Sequence, residues 1–248
     1  MPDAVQSSIS MKNKNTSQAP RPAAPLLLSF SGMDGSGKST QIEQLCSDLA
    51  NSGFTVRRME FWNNVVAFSS LRADFSRRVL QSDGEVGRPD RPAQRNDKNA
   101  RKWYLIAGRH VLYLFDAIKL RRVVNRLLTR ETDVIIFDRY IYDQLATLPL
   151  EQSFTNRYAN FILKLVPKPH ISFLIDAVPE VARARKPEYP LDFMHRYRKA
   201  YLRLSTIAGL TVIPPLNIEE AHSAISREIE PRLQHPFTGN DLTSIVPA

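Results

Sequence analysis

Apolar positions along the chain fall into short unbroken runs separated by stretches with helical spacing. Leu26-Leu27-Leu28-Ser29-Phe30 has the pattern of a buried strand. A Gly-rich turn follows, and then Ile42, Leu45, Cys46 and Leu49 recur at i, i+3, i+4 and i+7, the stripe of an amphipathic helix. Asn51-Ser52-Gly53 ends that helix, with Gly53 supplying a left-handed cap. Phe54 to Met59 reads as a second strand. The runs Asp133–Phe137, Ile171–Ile175 and Leu210–Ile213 predict three more, the last stopped by Pro214-Pro215. Strands this continuously apolar are covered on both faces, which argues for a parallel sheet with helices in between. The final helix opens at Asn217 with Glu220 three residues on, the spacing of a capping box, and is expected to run to about Glu230.

The flanks read differently. Residues 1–25 are rich in Ser, Asn, Gln, Ala and Pro without apolar periodicity, the signature of a disordered leader. They hold neither the apolar core of a signal peptide nor the arginine content of a transit peptide, since Arg21 stands alone. Residues 26–230 form one predicted domain, and 231–248 a tail without a pattern. No run of about 18 apolar residues exists to span a membrane. Cys46 is the only cysteine, which fits a reducing, cytoplasmic setting, and the five histidines show no metal-ligand spacing.

Charge sharpens this picture. The chain carries 34 Lys and Arg against 25 Asp and Glu, a net charge of +9, which favours anionic partners such as nucleotides. Residues 72–130 hold the whole excess, and within them the segment 82–98 is nearly devoid of apolar residues and reads as a long basic loop. Part of this charge reads as solvated surface and part as facing an anionic ligand. The basic stretch makes a nucleic-acid-binding protein a less favoured alternative, against which no nucleic-acid-binding module is recognisable there.

Two segments carry chemistry. Gly32-Met33-Asp34-Gly35-Ser36-Gly37-Lys38-Ser39, followed by Thr40, is a G-x-x-x-x-G-K-S loop lying between a predicted strand and a predicted helix. Its backbone N–H groups and the helix N-terminus suit the phosphates of ATP, Lys38 the β- and γ-phosphates, and the Ser39 hydroxyl a Mg²⁺ ion. The second is Asp138-Arg139-Tyr140 at the end of the third strand. A carboxylate there lies at the ligand-binding edge of an open α/β sheet, where it can approach Mg²⁺, and the Arg139 fork suits a phosphate. The other reading of that pair is a structural ion pair at a strand end. Phe61-Trp62 and Trp103-Tyr104 read either as core or as platforms for a base.

SGMDGSGKSTQ, DRYIYDQLA, FLIDAVPEVARARK and FMHRYRKAYLRL together resemble the thymidylate kinase family of P-loop nucleoside monophosphate kinases, over about residues 26–230. The resemblance implies a three-layer α/β P-loop fold with a parallel five-stranded sheet in the order 2-3-1-4-5, helices on both faces and a short lid at about 183–190. It implies ATP-dependent, Mg²⁺-assisted phosphoryl transfer to a nucleoside monophosphate, dTMP first among them, and a homodimer. It gives Asp34 the acceptor sugar, Arg139 the acceptor phosphate, Arg109 and Tyr140 further acceptor contacts, and Asp138 a place beside the metal with Ser39. Members without an arginine in the P-loop supply basic lid residues instead. Ser36 occupies that position here, so Arg183, Arg185 and Lys186 become the lid candidates. Two segments depart from the family. Met59-Glu60-Phe61-Trp62-Asn63-Asn64 stands where an R-E-P-G-G-T-like loop is usual, and Ala146 is followed by Thr147-Leu148 rather than Tyr-Gln. These departures motivate an alternative with the same ATP site and a different phosphate-bearing acceptor.

Overall fold

The parity of the strand residues builds the layers. In β1 (Leu26–Ser31) every residue is buried. Leu26, Leu28 and Phe30 point to one side, where they meet Val134 and Ile136 of β3 (Val134–Asp138) and Phe173 and Ile175 of β4 (Ile171–Ile175). Helices α1 (Lys38–Asn51) and α7 (Ile218–Gln234) cover that face with Ile42, Leu45 and Leu49 and with Ala221, Ile225 and Ile229. Leu27, Ile135, Phe137 and Leu174 point to the other face. It is covered by α2 (Trp103–Leu128), α3 (Ile141–Leu145), α4 (Ser153–Leu165) and α6 (Leu191–Ala208), through residues such as Leu120, Val124, Ile162 and Leu204. The result is three layers. The chain is seen as a computed structural model that describes residues 24–66, 103–129 and 132–234.

The sheet is parallel and ordered β2-β3-β1-β4-β5, with β2 at Val56–Glu60 and β5 at Thr211–Ile213. This is the α/β architecture and the strand order expected from the sequence. Register pairs Phe30 with Asp138 on one side and with Phe173 on the other. The C-terminal ends of β1, β3 and β4 therefore lie side by side, and the loops that follow them share one edge.

Some boundaries differ from the sequence reading. β2 starts at Val56 because Thr55 is already engaged, its N–H on the Asp133 carboxylate at 2.7 Å and its carbonyl on the Asp133 and Val134 N–H groups. A short π turn, Phe61–Val65, follows β2 and buries Phe61 while leaving Trp62 exposed. The last helix does not stop near Glu230. It continues through Pro231 to Gln234, because Leu233 extends the stripe of Ala221, Ile225 and Ile229 against the sheet. Helix α5 (Pro179–Arg185) and residues 186–190 occupy the predicted lid segment. The leader up to residue 23, the basic loop 82–98 and the tail from 235 lie outside the described residues. Among the described helices none is long and apolar enough to cross a membrane.

Candidate active site

The P-loop leaves the central strand and turns tightly under β4. Gly32, at φ 143°, brings its backbone so close that a Cβ there would lie 2.5 Å from the Ile175 carbonyl oxygen. Gly35, at φ 80°, packs against the backbone of α5, where a Cβ would collide with the Ala182 carbonyl. Both positions demand glycine, the first mainly for proximity and the second for proximity and a left-handed backbone. Met33 seals the contact by packing with Ala177, Ala182 and Met194. The P-loop and the helix that opens the lid segment are thus one packed unit.

Lys38 begins α1 and is buried. Its ammonium donates to the Met33 carbonyl at 2.8 Å, so it folds back over its own loop. Burial first, and the positive charge of Arg139 second, bring its pKa down to about 8, against the opposing pull of Asp143, Asp34 and Asp138. The Ser36 hydroxyl is buried in the loop without a hydrogen-bond partner. An orphaned hydroxyl and a retracted lysine at one Gly-rich turn fit a cradle for phosphate oxygens. Ser39 and Thr40, in the first turn of α1, are exposed. Asp138 ends β3, and its Oδ2 accepts from Arg58 of β2 at 2.7 Å. Ser39 and Asp138 offer oxygen ligands only, the donor chemistry that suits Mg²⁺.

Arg139 is the centre of the site. It adopts φ 67°, alone in positive φ among the described non-glycine residues. Its Nη2 donates to Asp34 Oδ1 at 2.5 Å and its Nη1 to Asp143 Oδ1 at 2.9 Å. Burial, the largest single influence, would lower the guanidinium pKa, but Asp143, Tyr201, Asp34 and Tyr197 together outweigh it and hold the group well above its ordinary range. From the lid segment, Lys186 reaches Asp34 Oδ1 at 3.8 Å and Glu188 at 3.0 Å. Two tyrosines of α6 close the far side. Tyr201 donates to Asp143 Oδ1 at 2.7 Å, its oxygen lies 3.1 Å from the Tyr197 hydroxyl, and Tyr197 donates to the Asp143 carbonyl at 3.2 Å. Helix α6 is pinned to the end of β4 by a two-pronged pair, Arg198 Nε and Nη2 on the Asp176 carboxylate at 2.8 and 2.7 Å.

The fold therefore gathers Gly32 to Thr40, Asp138 and Arg139 at one sheet edge. Arg109 stands half-buried on α2, and among the described residues it makes no ion pair with this cluster. Arg183 and Arg185 lie on α5, half-buried and exposed respectively, likewise unpaired with it. Tyr140 requires a correction. Its ring is fully buried against Phe137 and Tyr142, and its hydroxyl donates to the Pro167 carbonyl at 2.6 Å. In this structure it is a core residue with no free group for an acceptor. Asp143, Tyr197, Tyr201 and Arg58 escape the sequence reading. Asp143 alone had a local signal, because it follows Arg139 at i+4, the spacing of an intrahelical ion pair.

A G-x-x-x-x-G-K-S loop on the central strand, an Asp-Arg pair on the neighbouring strand and this sheet order define a P-loop kinase fold. The chain is 26% identical over 200 residues to a probable thymidylate kinase of Pyrobaculum aerophilum, a match covering 75% of this chain and 86% of that protein. Among solved structures it resembles the thymidylate kinase of Candida albicans, with a TM-score of 0.58 and 16% identity over 87% of this chain and 96% of that one. The thymidylate kinase of Ehrlichia chaffeensis matches with a TM-score of 0.54 and 15% identity, over 83% of this chain and 98% of that one. No protein-family model matches the chain. Sequence and fold thus make the chain similar to thymidylate kinases, with the P-loop architecture of those structures.

Proposed function

We propose that this protein transfers the γ-phosphoryl group of ATP to a nucleoside monophosphate, with dTMP as the first acceptor to consider. An oxygen of the acceptor phosphate attacks the γ-phosphorus in line and the bond to the ADP oxygen breaks. The attacking oxygen is already anionic near neutral pH, so no side chain needs to remove a proton. The work left to the protein is alignment and charge neutralisation. The P-loop N–H groups, Ser36 and Lys38 hold the donor phosphates, with Lys38 turning from Met33 to reach them. Mg²⁺, when bound, neutralises phosphate oxygens, and Ser39 and Asp138 are the residues that would hold it, Asp138 by exchanging its contact with Arg58. Arg139 receives the acceptor phosphate, and Asp34 is freed toward the acceptor sugar. Arg109 completes the acceptor side. Lys186 with Arg183 and Arg185 supplies lid charge for the migrating phosphoryl group.

One observation carries this reading: the guanidinium of Arg139 and the P-loop carboxylate of Asp34 meet directly in front of the phosphate cradle. A second reading keeps the ATP site and changes the acceptor. It is favoured by Thr147, whose hydroxyl is tied to Tyr113 at 2.9 Å, and by Gln144, whose amide nitrogen donates to the buried Asp116 at 2.6 Å. The deciding experiment measures ADP formation from Mg·ATP with a panel of nucleoside monophosphates. Turnover with dTMP supports the first reading, and turnover with another monophosphate alone supports the second. Lys38→Ala should lower turnover by at least roughly 100-fold, and a variant that keeps wild-type turnover refutes the mechanism. A homodimer and a cytoplasmic, reducing setting belong to the same reading, and light scattering at micromolar concentration tests the former.

A further inference from the structure

We infer that Asp143 is a positioning residue for this transfer, acting through Arg139; the inference rests on the kinase reading above. Asp143 is fully buried, and each of its two carboxylate oxygens receives two donors. Oδ1 accepts from Arg139 Nη1 at 2.9 Å and from the Tyr201 hydroxyl at 2.7 Å. Oδ2 accepts from the Ser31 hydroxyl at 2.7 Å and from the Tyr140 N–H at 3.1 Å. That fills the acceptor capacity of a carboxylate. The four donors come from three places: the last residue of β1, just before the P-loop; the turn after β3; and the middle of α6. One side chain therefore ties the phosphate loop, the acceptor arginine and the helix behind the lid into a single frame.

The frame controls Arg139 at both ends. Arg139 sits in a left-handed backbone conformation that non-glycine residues seldom adopt, and such strain persists only where surrounding contacts impose it. Two contacts do so. The Arg139 N–H donates to the Phe30 carbonyl at 2.9 Å, and the next N–H, that of Tyr140, is held by Asp143. The same carboxylate grips Nη1 of the side chain. Rotation of the guanidinium is thereby blocked, and Nη2 is left pointing at the P-loop.

The two carboxylates on Arg139 are not equivalent. Asp143 is inaccessible to solvent and has four partners, whereas Asp34 is partly exposed and shares its oxygen with the half-exposed cation of Lys186. Asp34 is the exchangeable partner. A phosphate dianion outcompetes a single carboxylate for Nη2, while Nη1 stays on Asp143. The acceptor thus meets an arginine already oriented, and the entropy of fixing its long side chain is lost at folding rather than at binding.

The test compares wild type with Asp143→Asn, Arg139→Ala and the double variant. The amide keeps the shape, but its NH2 end only donates, so one of the two oxygen positions can no longer accept from its pair of donors. Asp143→Asn is expected to lower kcat/KM for the acceptor about tenfold or more, with KM for ATP within about twofold. The double variant should be no slower than Arg139→Ala, because the two residues act as one unit. Additive losses, or equal losses for ATP and acceptor, overturn the inference. Tyr201→Phe removes one donor to Asp143 and should move the acceptor parameters in the same direction, which guards against misfolding of Asp143→Asn. A third measurement does not depend on turnover. In ¹⁵N NMR, hindered rotation should give Arg139 resolved Nη signals, assigned by their absence in Arg139→Lys, and Asp143→Asn or Tyr201→Phe should average them. If no monophosphate is turned over, the kinase reading fails, and unchanged Arg139 signals in those variants separately refute the positioning role.

Discussion

Single side chains in this site are held in conformations that local sequence does not favour, and each has a measurable consequence. Lys38 is the first. Its pKa of about 8 in the folded protein lies below its ordinary 10.5. Between those values the unfolded chain binds more protons, so stability should rise with pH across that window. Below pH 8 both states carry the proton and the burial penalty is present in full. Urea denaturation at several pH values should show wild type gaining on Lys38→Met above about pH 8; a constant difference contradicts the assignment. A bound triphosphate draws the proton back, so ATP binding near pH 9 should take up a fraction of a proton, readable by calorimetry in two buffers. Gly35 is the second residue. Gly35→Ala combines a left-handed backbone, a cost of about 1 kcal/mol, with a collision against the Ala182 carbonyl. It should lower the melting temperature and abolish the thermal response to ATP, whereas an unchanged response would show that the contact with α5 is dispensable.

Among the secondary-structure elements, α6 and the turn after β3 carry the site. Arg198→Ala should destabilise the protein by about 2 kcal/mol, because it strips both prongs from an Asp176 carboxylate that is only 8% exposed. Chemical denaturation measures this, and a change below about 0.5 kcal/mol would mean that the pair behaves like an ordinary surface salt bridge. Tyr140→Phe separates the two roles that its position allows. As a core residue it should lose about 1 kcal/mol with its bond to Pro167 and keep its acceptor KM. A raised acceptor KM with unchanged stability would restore it to the binding site. The sequence reading placed Tyr140 at the acceptor because it directly follows Arg139. The structure turns it into the core because the left-handed step at Arg139 sends consecutive side chains in unrelated directions.

For the whole molecule, ligand binding and fold stability are linked through the P-loop. ATP at 100 times its dissociation constant should add about 2.7 kcal/mol, a rise in melting temperature of roughly 5–11 °C for a chain of this size. The rise should vanish in Lys38→Ala. A shift retained in that variant would place the nucleotide elsewhere.

Layering was legible along the chain because it depends on local pattern, whereas the strand order came from the family resemblance. Runs such as Val134–Phe137 must be covered on both faces, and β-α alternation in a parallel sheet leaves few topologies. The phosphate loop was legible for a similar reason: its glycines, Lys38 and Ser39 are contiguous, and backbone and side chain act at the same place. Asp138, Arg139 and Lys186 were also singled out, but the frame that holds them was not. Asp143, Tyr201 and Ser31 come from three separate segments, and each residue type alone is compatible with a solvated surface or an ordinary core. Only the folded chain, by setting the ends of β1 and β3 side by side under α6, turns Asp143 into a buried anchor and Asp34 into an exchangeable one. Local spacing determines which elements form and where a phosphate can bind. Long-range packing determines which charges meet in a low-dielectric interior, and so which arginine is held in place for the acceptor.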